Sequence, residues 1–180
     1  MREAVGALVA TGVLETRPGS GTYVTDLSPE TVAGPLAFML DAGHRSSLDL
    51  FEVRLLLEVA AAKWAAVRID ADALDLLEQE VCALETWIED IERFTDADIA
   101  FHRLIHEQTG NAILLELMSS ISVLDRGTRV VLSQSRDARE ETIPEHRNIL
   151  GNLQARDPEA AARAMSRHLT KCWSHMTQAG

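Results

Sequence analysis

The sequence lacks long apolar runs and has only two cysteines among its 180 residues, and each shortage excludes a class of protein. No segment approaches the ~18 consecutive apolar residues that a membrane-spanning helix needs. Residues 1–12 have neither the uninterrupted apolar core nor the cleavage site of a signal peptide. Cys82 and Cys172 provide no disulfide framework and no C-x-x-C metal knuckle. We therefore expect a cytoplasmic protein that does not enter a membrane.

The sequence is also poor in positive charge. Its net charge of −11 argues against a chain that coats nucleic acid as a whole, because phosphate binding requires clustered lysine and arginine. A small DNA-reading module attached to an acidic domain is still compatible with this charge. Residues 1–24 are neutral, and the acidic excess lies in the remainder. This asymmetry indicates two parts with different roles.

Residue periodicity predicts a short helix, a hairpin and then helices nearly to the end of the chain. Apolar residues have helical spacing over 2–12, and two short β-prone runs, 13–17 and 21–26, are separated by Pro-Gly-Ser. The connections after Asp26 are short, which favours an antiparallel bundle. The predicted helices span 47–68, 70–92, 95–109, 111–134, about 144–155 and 158–177.

Three histidines lie on the apolar stripes of three separate predicted helices. His102, His146 and His168 each have apolar or small neighbours three, four or seven positions away, so each should face the bundle interior. Buried imidazoles need partners for both ring nitrogens, which makes a shared partner attractive. Asp98 lies one helical turn before His102. Imidazole nitrogen with carboxylate oxygen suits a divalent ion, with zinc first and nickel or manganese as alternatives.

Simpler interpretations of these residues stay open at this point. A single histidine on an apolar face is more often a satisfied core residue than a metal ligand. Thr95 and Asp98 fit a capping box, in which Asp98 would bond back to the start of its own helix instead of binding a metal. His106 lies on the same side of the helix as His102 but one turn further along, which predicts a position at the solvated rim.

The motifs of the chain resemble those of a known family of regulators. Residues 2–24, REAVGALVATGVLETRPGSGTYV, resemble the end of a GntR-type winged helix, from the recognition helix through the wing. The remainder resembles the FCD effector-binding domain of the FadR-like branch of that family, in the segments 50–66, 96–111 and 145–169. The resemblance implies a mainly α protein. Residues 27–180 would form an antiparallel bundle of six or seven helices, and residues 1–26 would be the remnant of a winged helix.

The resemblance also implies which residues bind ligands. The metal ligands of this domain, one aspartate and three histidines, fall on Asp98, His102, His146 and His168. Arg54 would grip a small carboxylate effector, such as an organic or sugar acid, through its planar guanidinium. The alternative for Arg54 is an intrahelical pair with Glu58, four residues on.

Taken together, these features predict a ligand-responsive transcriptional regulator that acts as a homodimer on operator DNA and is not an enzyme. Arg2 would face the DNA bases, and Gly19, Ser20 and Gly21 would form the tip of the wing. Two other functions stay open: a metal-dependent enzyme acting on small organic acids, and a purely structural metal site in a dimerisation module.

The sequence given begins inside the predicted recognition helix, without the helices that would support it in the groove. A late start site, a truncation and a real loss are the three explanations. We therefore expect the polypeptide of residues 1–180 to bind operator DNA weakly or not at all. Tight, sequence-specific binding in a gel-shift assay would contradict this expectation.

Overall fold

The computed structural model describes residues 4–6, 9, 14–25 and 47–178. The chain divides into two compact units, Met1–Ser46 and Ser47–Gly180. The predicted boundary between residues 26 and 27 lies outside the described residues. Among the described helices, none is both long and apolar enough to cross a membrane.

The first unit contains the predicted hairpin. Strand β1 (Leu14–Arg17) pairs antiparallel with β2 (Gly21–Val24), in a register that sets Leu14 opposite Val24 and Arg17 opposite Gly21. Gly19 in the turn has a φ of 76°, a left-handed conformation that costs glycine little because it has no Cβ. Residues 4–6 and 9 are helical, in agreement with the short predicted helix.

The second unit is a bundle of helices, as predicted. Side chains cap five of the described helices at their N-termini, each accepting a hydrogen bond from a backbone N–H of the first turn: Asp70, Asp90, Asn111, Ser135 and Asp157. The described helices are α1 (Ser47–Arg68), α2 (Ala71–Thr86), α3 (Ile91–Glu107), α4 (Ala112–Leu132), α5 (Arg136–Gln154) and α6 (Pro158–Gln178).

The core of the bundle lies between α1, α2, α3, α5 and α6. The inner face of α1 carries small residues, which let α6 approach closely, whereas α2 and α3 contribute larger side chains such as Leu77 and Phe101. All of these residues are fully buried. A second cluster joins Ala61 of α1 to Leu114 and Met118 of α4. The polar site described below lies among these apolar layers, and its accessible surface is therefore small.

Two predicted helix starts are wrong, and both errors have a local cause. Helix α5 begins at Arg136 rather than near 144, because the Ser135 hydroxyl caps it and Pro144 is accommodated inside the helix. Helix α3 begins at Ile91, capped by Asp90, rather than at Thr95. Thr95 is therefore a buried interior residue whose hydroxyl donates to Ser133 Oγ. The capping-box interpretation of Asp98 is excluded by this geometry.

Candidate metal centre

Three helices bring the four predicted ligands together. Asp98 and His102 project from successive turns of α3, while α5 supplies His146 and α6 supplies His168. All four are buried, and one ligand atom from each lies within 4.8 Å of the others. This is the spacing expected of groups that surround one ion, and the structure therefore brings together residues 98, 102, 146 and 168 as the sequence predicts. That they bind a metal is still a prediction.

The two imidazoles closest to Asp98 present unpartnered nitrogens to it. His146 Nε2 lies 3.1 Å from Asp98 Oδ1, and His102 Nε2 lies 3.8 Å from the same oxygen. Neither nitrogen has an aligned hydrogen-bond partner among the described residues, although both are fully enclosed. Buried polar atoms without partners are uncommon in native proteins. A cation between the rings and the carboxylate would satisfy these atoms together.

The contact at the other nitrogen of His146 fixes the tautomer of that ring. His146 Nδ1 lies 3.0 Å from the carbonyl oxygen of Thr142, which can only accept a hydrogen bond. The Nδ1 atom therefore carries a proton, and in the neutral ring the lone pair is on Nε2, on the side of Asp98. Metal-binding histidines are commonly oriented by such a bond. A set of three imidazoles and one carboxylate suits zinc and also nickel or manganese.

Electrostatics hold Asp98, His102 and His168 in the protonation states that metal ligands require. Burial raises the pKa of Asp98, but Arg129, which donates to its Oδ2, and the neighbouring histidines together lower that pKa well below its usual value. Burial lowers the pKa of His102 to about 4. Burial and the two other histidines lower the pKa of His168 well below its usual value. At neutral pH Asp98 is therefore ionised, and His102 and His168 are neutral.

A network of buried charges continues from Asp98 towards α1. Arg129 Nε donates to Asp125 Oδ2 at 2.9 Å, and Arg54 Nη1 donates to the same oxygen at 2.5 Å. Arg54 Nε donates to Glu58 Oε1 at 2.8 Å. These three carboxylates and two guanidinium groups leave one negative charge in excess. The arrangement is costly to desolvate, so each charge depends on its partner.

A narrow cavity of about 30 Å³ opens beside this network. Arg54, Asp98, Arg129 and His168 all line it. A second cavity of similar size, about 30 Å³, lies on the other side of Arg54 and Arg129. A volume of this size holds about two water molecules. A larger ligand can enter only if side chains move apart.

The structure shows the Arg54–Glu58 pair of the simpler interpretation and leaves the effector-binding interpretation untested. Its guanidinium pairs with Glu58, as the simpler interpretation predicts, and it also lines both cavities. A role as effector anchor is therefore still a prediction. Gly19, Ser20 and Gly21 are at the turn and the start of β2, as expected for the tip of a wing, and Arg2 lies outside the described residues. DNA contacts by these four residues also remain a prediction.

Sequence reasoning missed part of the site and misjudged His106. His106 is buried rather than at the rim, and its Nε2 lies 3.7 Å from Glu58 Oε2. The missed residues share one property, which is a charge on a stripe that faces the core: Glu58, Asp125, Arg129 and Arg139. A signal was present in α4, where the buried stripe of Leu114, Met118 and Ile121 continues at helical spacing into positions 125 and 129.

Comparisons with known proteins agree with the geometry of the chain. A model of the FCD domain family matches residues 49–171. The chain is 30% identical to the HTH-type transcriptional regulator LutR of Bacillus subtilis, over 94% of this chain and 80% of LutR. It is 29% identical to an Escherichia coli K12 protein described as a regulator of the L-lactate dehydrogenase operon, over 94% of this chain and 68% of that protein.

A solved structure gives the same result for the fold. The Streptococcus agalactiae protein GntR superposes with a TM-score of 0.71 at 30% identity, over 96% of this chain and 80% of that one. The prediction of a mainly α fold with a small antiparallel hairpin is confirmed. These similar proteins are regulators of transcription and not enzymes.

The depressed histidine pKa values predict how the stability of the metal-free protein depends on pH. The pKa of His102 is about 4 in the folded state and about 6.5 when unfolded, so the unfolded chain binds more protons between these values. The contribution of His102 to the free energy of unfolding is complete above pH 6.5 and is lost as the pH falls towards 4. Between pH 6.5 and pH 4, we expect the titration of His102 alone to lower the free energy of unfolding by on the order of 3 kcal/mol.

Urea unfolding with chelator present, at several pH values, measures this dependence. His102→Gln should flatten the curve between pH 6.5 and 4, because it removes one of the titrating groups. His175→Gln is the matched control, since His175 is only half-buried and pairs with Glu141 near the surface. An equal slope in the wild type and in His102→Gln would contradict the assignment of His102 as a neutral buried imidazole.

Proposed function

Because the chain belongs to the GntR family of transcriptional regulators and carries the FCD domain of that family, we propose that its helical bundle binds one divalent metal ion and a small organic acid. Binding of the acid would then control how a homodimer engages operator DNA. The regulatory class follows from the family. The metal, the acid and the dimer are our proposal.

One observation carries the metal part of the proposal. Ligand atoms of Asp98, His102, His146 and His168 lie within 4.8 Å of one another in a buried setting, with two unpartnered imidazole nitrogens among them. Zinc is the first candidate for this donor set, and nickel and manganese are alternatives. When bound, such an ion supplies a positive charge and an electron-pair acceptor inside the bundle.

The charges around the cavity support an anionic effector. The contacting network of Glu58, Asp98, Asp125, Arg54 and Arg129 has one negative charge in excess. A divalent ion would reverse that sign and would favour a carboxylate in the adjoining cavity. Arg139 adds a guanidinium to the cavity wall, where it donates to the backbone carbonyls of Ile88 and Ser133.

The size of the cavity supports a small acid that opens the site as it binds. The volume of about 30 Å³ is less than an organic acid occupies, so the acid has to displace side chains. Arg54 can turn towards it only by giving up contact with Glu58 or Asp125. L-Lactate is the first acid to test, because a relative is described as regulating the L-lactate dehydrogenase operon.

The regulatory step requires two arrangements of the dimer with different affinities for the acid. An effector shifts such an equilibrium only by the difference between its two binding free energies. Displacement of buried side chains by the acid would alter the packing of α1, α4 and α6, whose residues line the second cavity. Paired half-sites on operator DNA would be read by two such chains.

Metal analysis of the purified protein tests the first part of the proposal. We expect about one equivalent of zinc, nickel or manganese per chain, and a marked loss of metal in His146→Ala, because that variant removes one of four ligands. His175→Ala should retain the metal. A metal content near zero in the wild type, unchanged by His146→Ala, would remove the centre of the proposal.

A thermal-shift screen of acids tests the second part. A saturating acid should raise the stability of the metal-loaded protein by about 2.7 kcal/mol at a hundred times its Kd. Arg54→Ala should abolish the shift. Arg147→Ala is the control, since Arg147 forms ion pairs with Glu78 and Glu85 at the surface. Stabilisation by the metal alone, with no response to any acid, would favour a structural metal site in a dimerisation module.

A further inference from the structure

Glu58 contacts the candidate metal ligand His102 on the side of the ring that faces away from Asp98. Its side chain, on α1, is fully buried. Its Oε2 atom lies against His102 Nδ1, whereas His102 Nε2 faces Asp98. The imidazole of His102 is therefore held between two carboxylates, one on each ring nitrogen.

One more polar side chain, His106, adjoins this group. His106 Nε2 lies 3.7 Å from Glu58 Oε2 and is itself buried. Glu58 Oε2, His102 Nδ1 and His106 Nε2 all lack an aligned hydrogen-bond partner among the described residues. Two enclosed imidazole nitrogens therefore lie beside one carboxylate oxygen, which can act as an acceptor towards both rings. Neither Glu58 nor His106 is among the four candidate ligands.

We propose that Glu58 is the positioning residue for His102 and that His106, which lies beside the Glu58 carboxylate, helps to hold that carboxylate in place. This inference rests on the metal site of the proposed function. Under this proposal Glu58 Oε2, which lies against His102 Nδ1, accepts a hydrogen bond from Nδ1–H. That bond would fix the tautomer and leave the lone pair on Nε2 for the metal. A carboxylate in this position also makes the imidazole a stronger electron donor.

The other oxygen of Glu58 is fixed from the opposite side. Oε1 accepts from Arg54 Nε at 2.8 Å, and Arg129 Nη2 lies 3.8 Å from the same oxygen. These contacts prevent the carboxylate from turning away from His102. Helix α1 thus carries none of the four candidate ligands, but its Glu58 orients the imidazole of His102 on α3.

Binding of Co²⁺ to the full 180-residue chain tests the role of Glu58, because Co²⁺ reports its ligands through visible absorption. The protein is first stripped of metal with a chelator and then titrated. Glu58→Gln keeps the size of the side chain but removes its charge. We expect a loss of affinity of about tenfold or more, the range seen for such supporting residues, together with an altered spectrum at saturating Co²⁺.

Glu145→Gln is the matched control. Glu145 is also a buried glutamate held by two cations, Arg167 and Lys171, and it adjoins His146 in sequence. Its carboxylate is engaged by those cations at the edge of the bundle, and we expect affinity and spectrum close to those of the wild type. A role in stability alone would lower the melting temperature of Glu58→Gln but leave the spectrum of its Co²⁺ complex unchanged.

His106→Gln provides a second test that does not depend on the folding of Glu58→Gln. This substitution should also reduce the affinity for Co²⁺, but by a smaller factor than Glu58→Gln does. If Glu58→Gln and His106→Gln both bind Co²⁺ within about twofold of the wild type with an unchanged spectrum, the inference is overturned. If the wild type itself binds no Co²⁺, the metal site of the proposed function fails instead, which is a distinct result.

Discussion

The pairing of Asp98 with Arg129 is the interaction on which the rest of the site depends. Asp98 is buried on α3, and an isolated carboxylate there would lose its hydration without compensation. Arg129, donating from α4, compensates that loss for one carboxylate oxygen. The other oxygen faces the imidazoles of His102 and His146. One side chain therefore joins the charge network of α1 and α4 to the histidines of α3, α5 and α6.

The inward direction of the three candidate histidines could be predicted from the sequence because each lies on a regular helix, whereas the inclusion of Asp98 as a ligand came from the family resemblance. Helical spacing places His146 and His168 on apolar stripes, and the two residues of α3 are one turn apart, so the direction of each side chain follows from local geometry. The apolar stripes also predicted the bundle itself. The hairpin was predictable because Pro18, Gly19 and Ser20 separate two short β-prone runs.

The supporting charges could not be predicted in the same way. Asp125 and Arg129 lie at helical spacing on the buried stripe of α4, but they pair with Arg54 and Glu58 across helices. A sequence pattern does not encode such long-range pairing. His106 has the same direction as His102, but its depth depends on which neighbour covers it. The start of α5 was predicted near 144, whereas the cap at Ser135 starts the helix at Arg136 and leaves Pro144 inside it.

The charge network also determines the order in which the proposed ligands can bind. Without a metal, the contacting charges have one negative charge in excess, and Arg54 is already paired with Glu58 and Asp125. A carboxylate entering the cavity would meet the negative field of this network, weakened by the Arg139 guanidinium on the cavity wall. A divalent ion at the histidines reverses that field, so under the proposed function the metal raises the affinity for the acid. By linkage the acid must raise the affinity for the metal by the same factor. Under the proposed function, a bundle with this network would therefore bind the acid more tightly in its metal-loaded form.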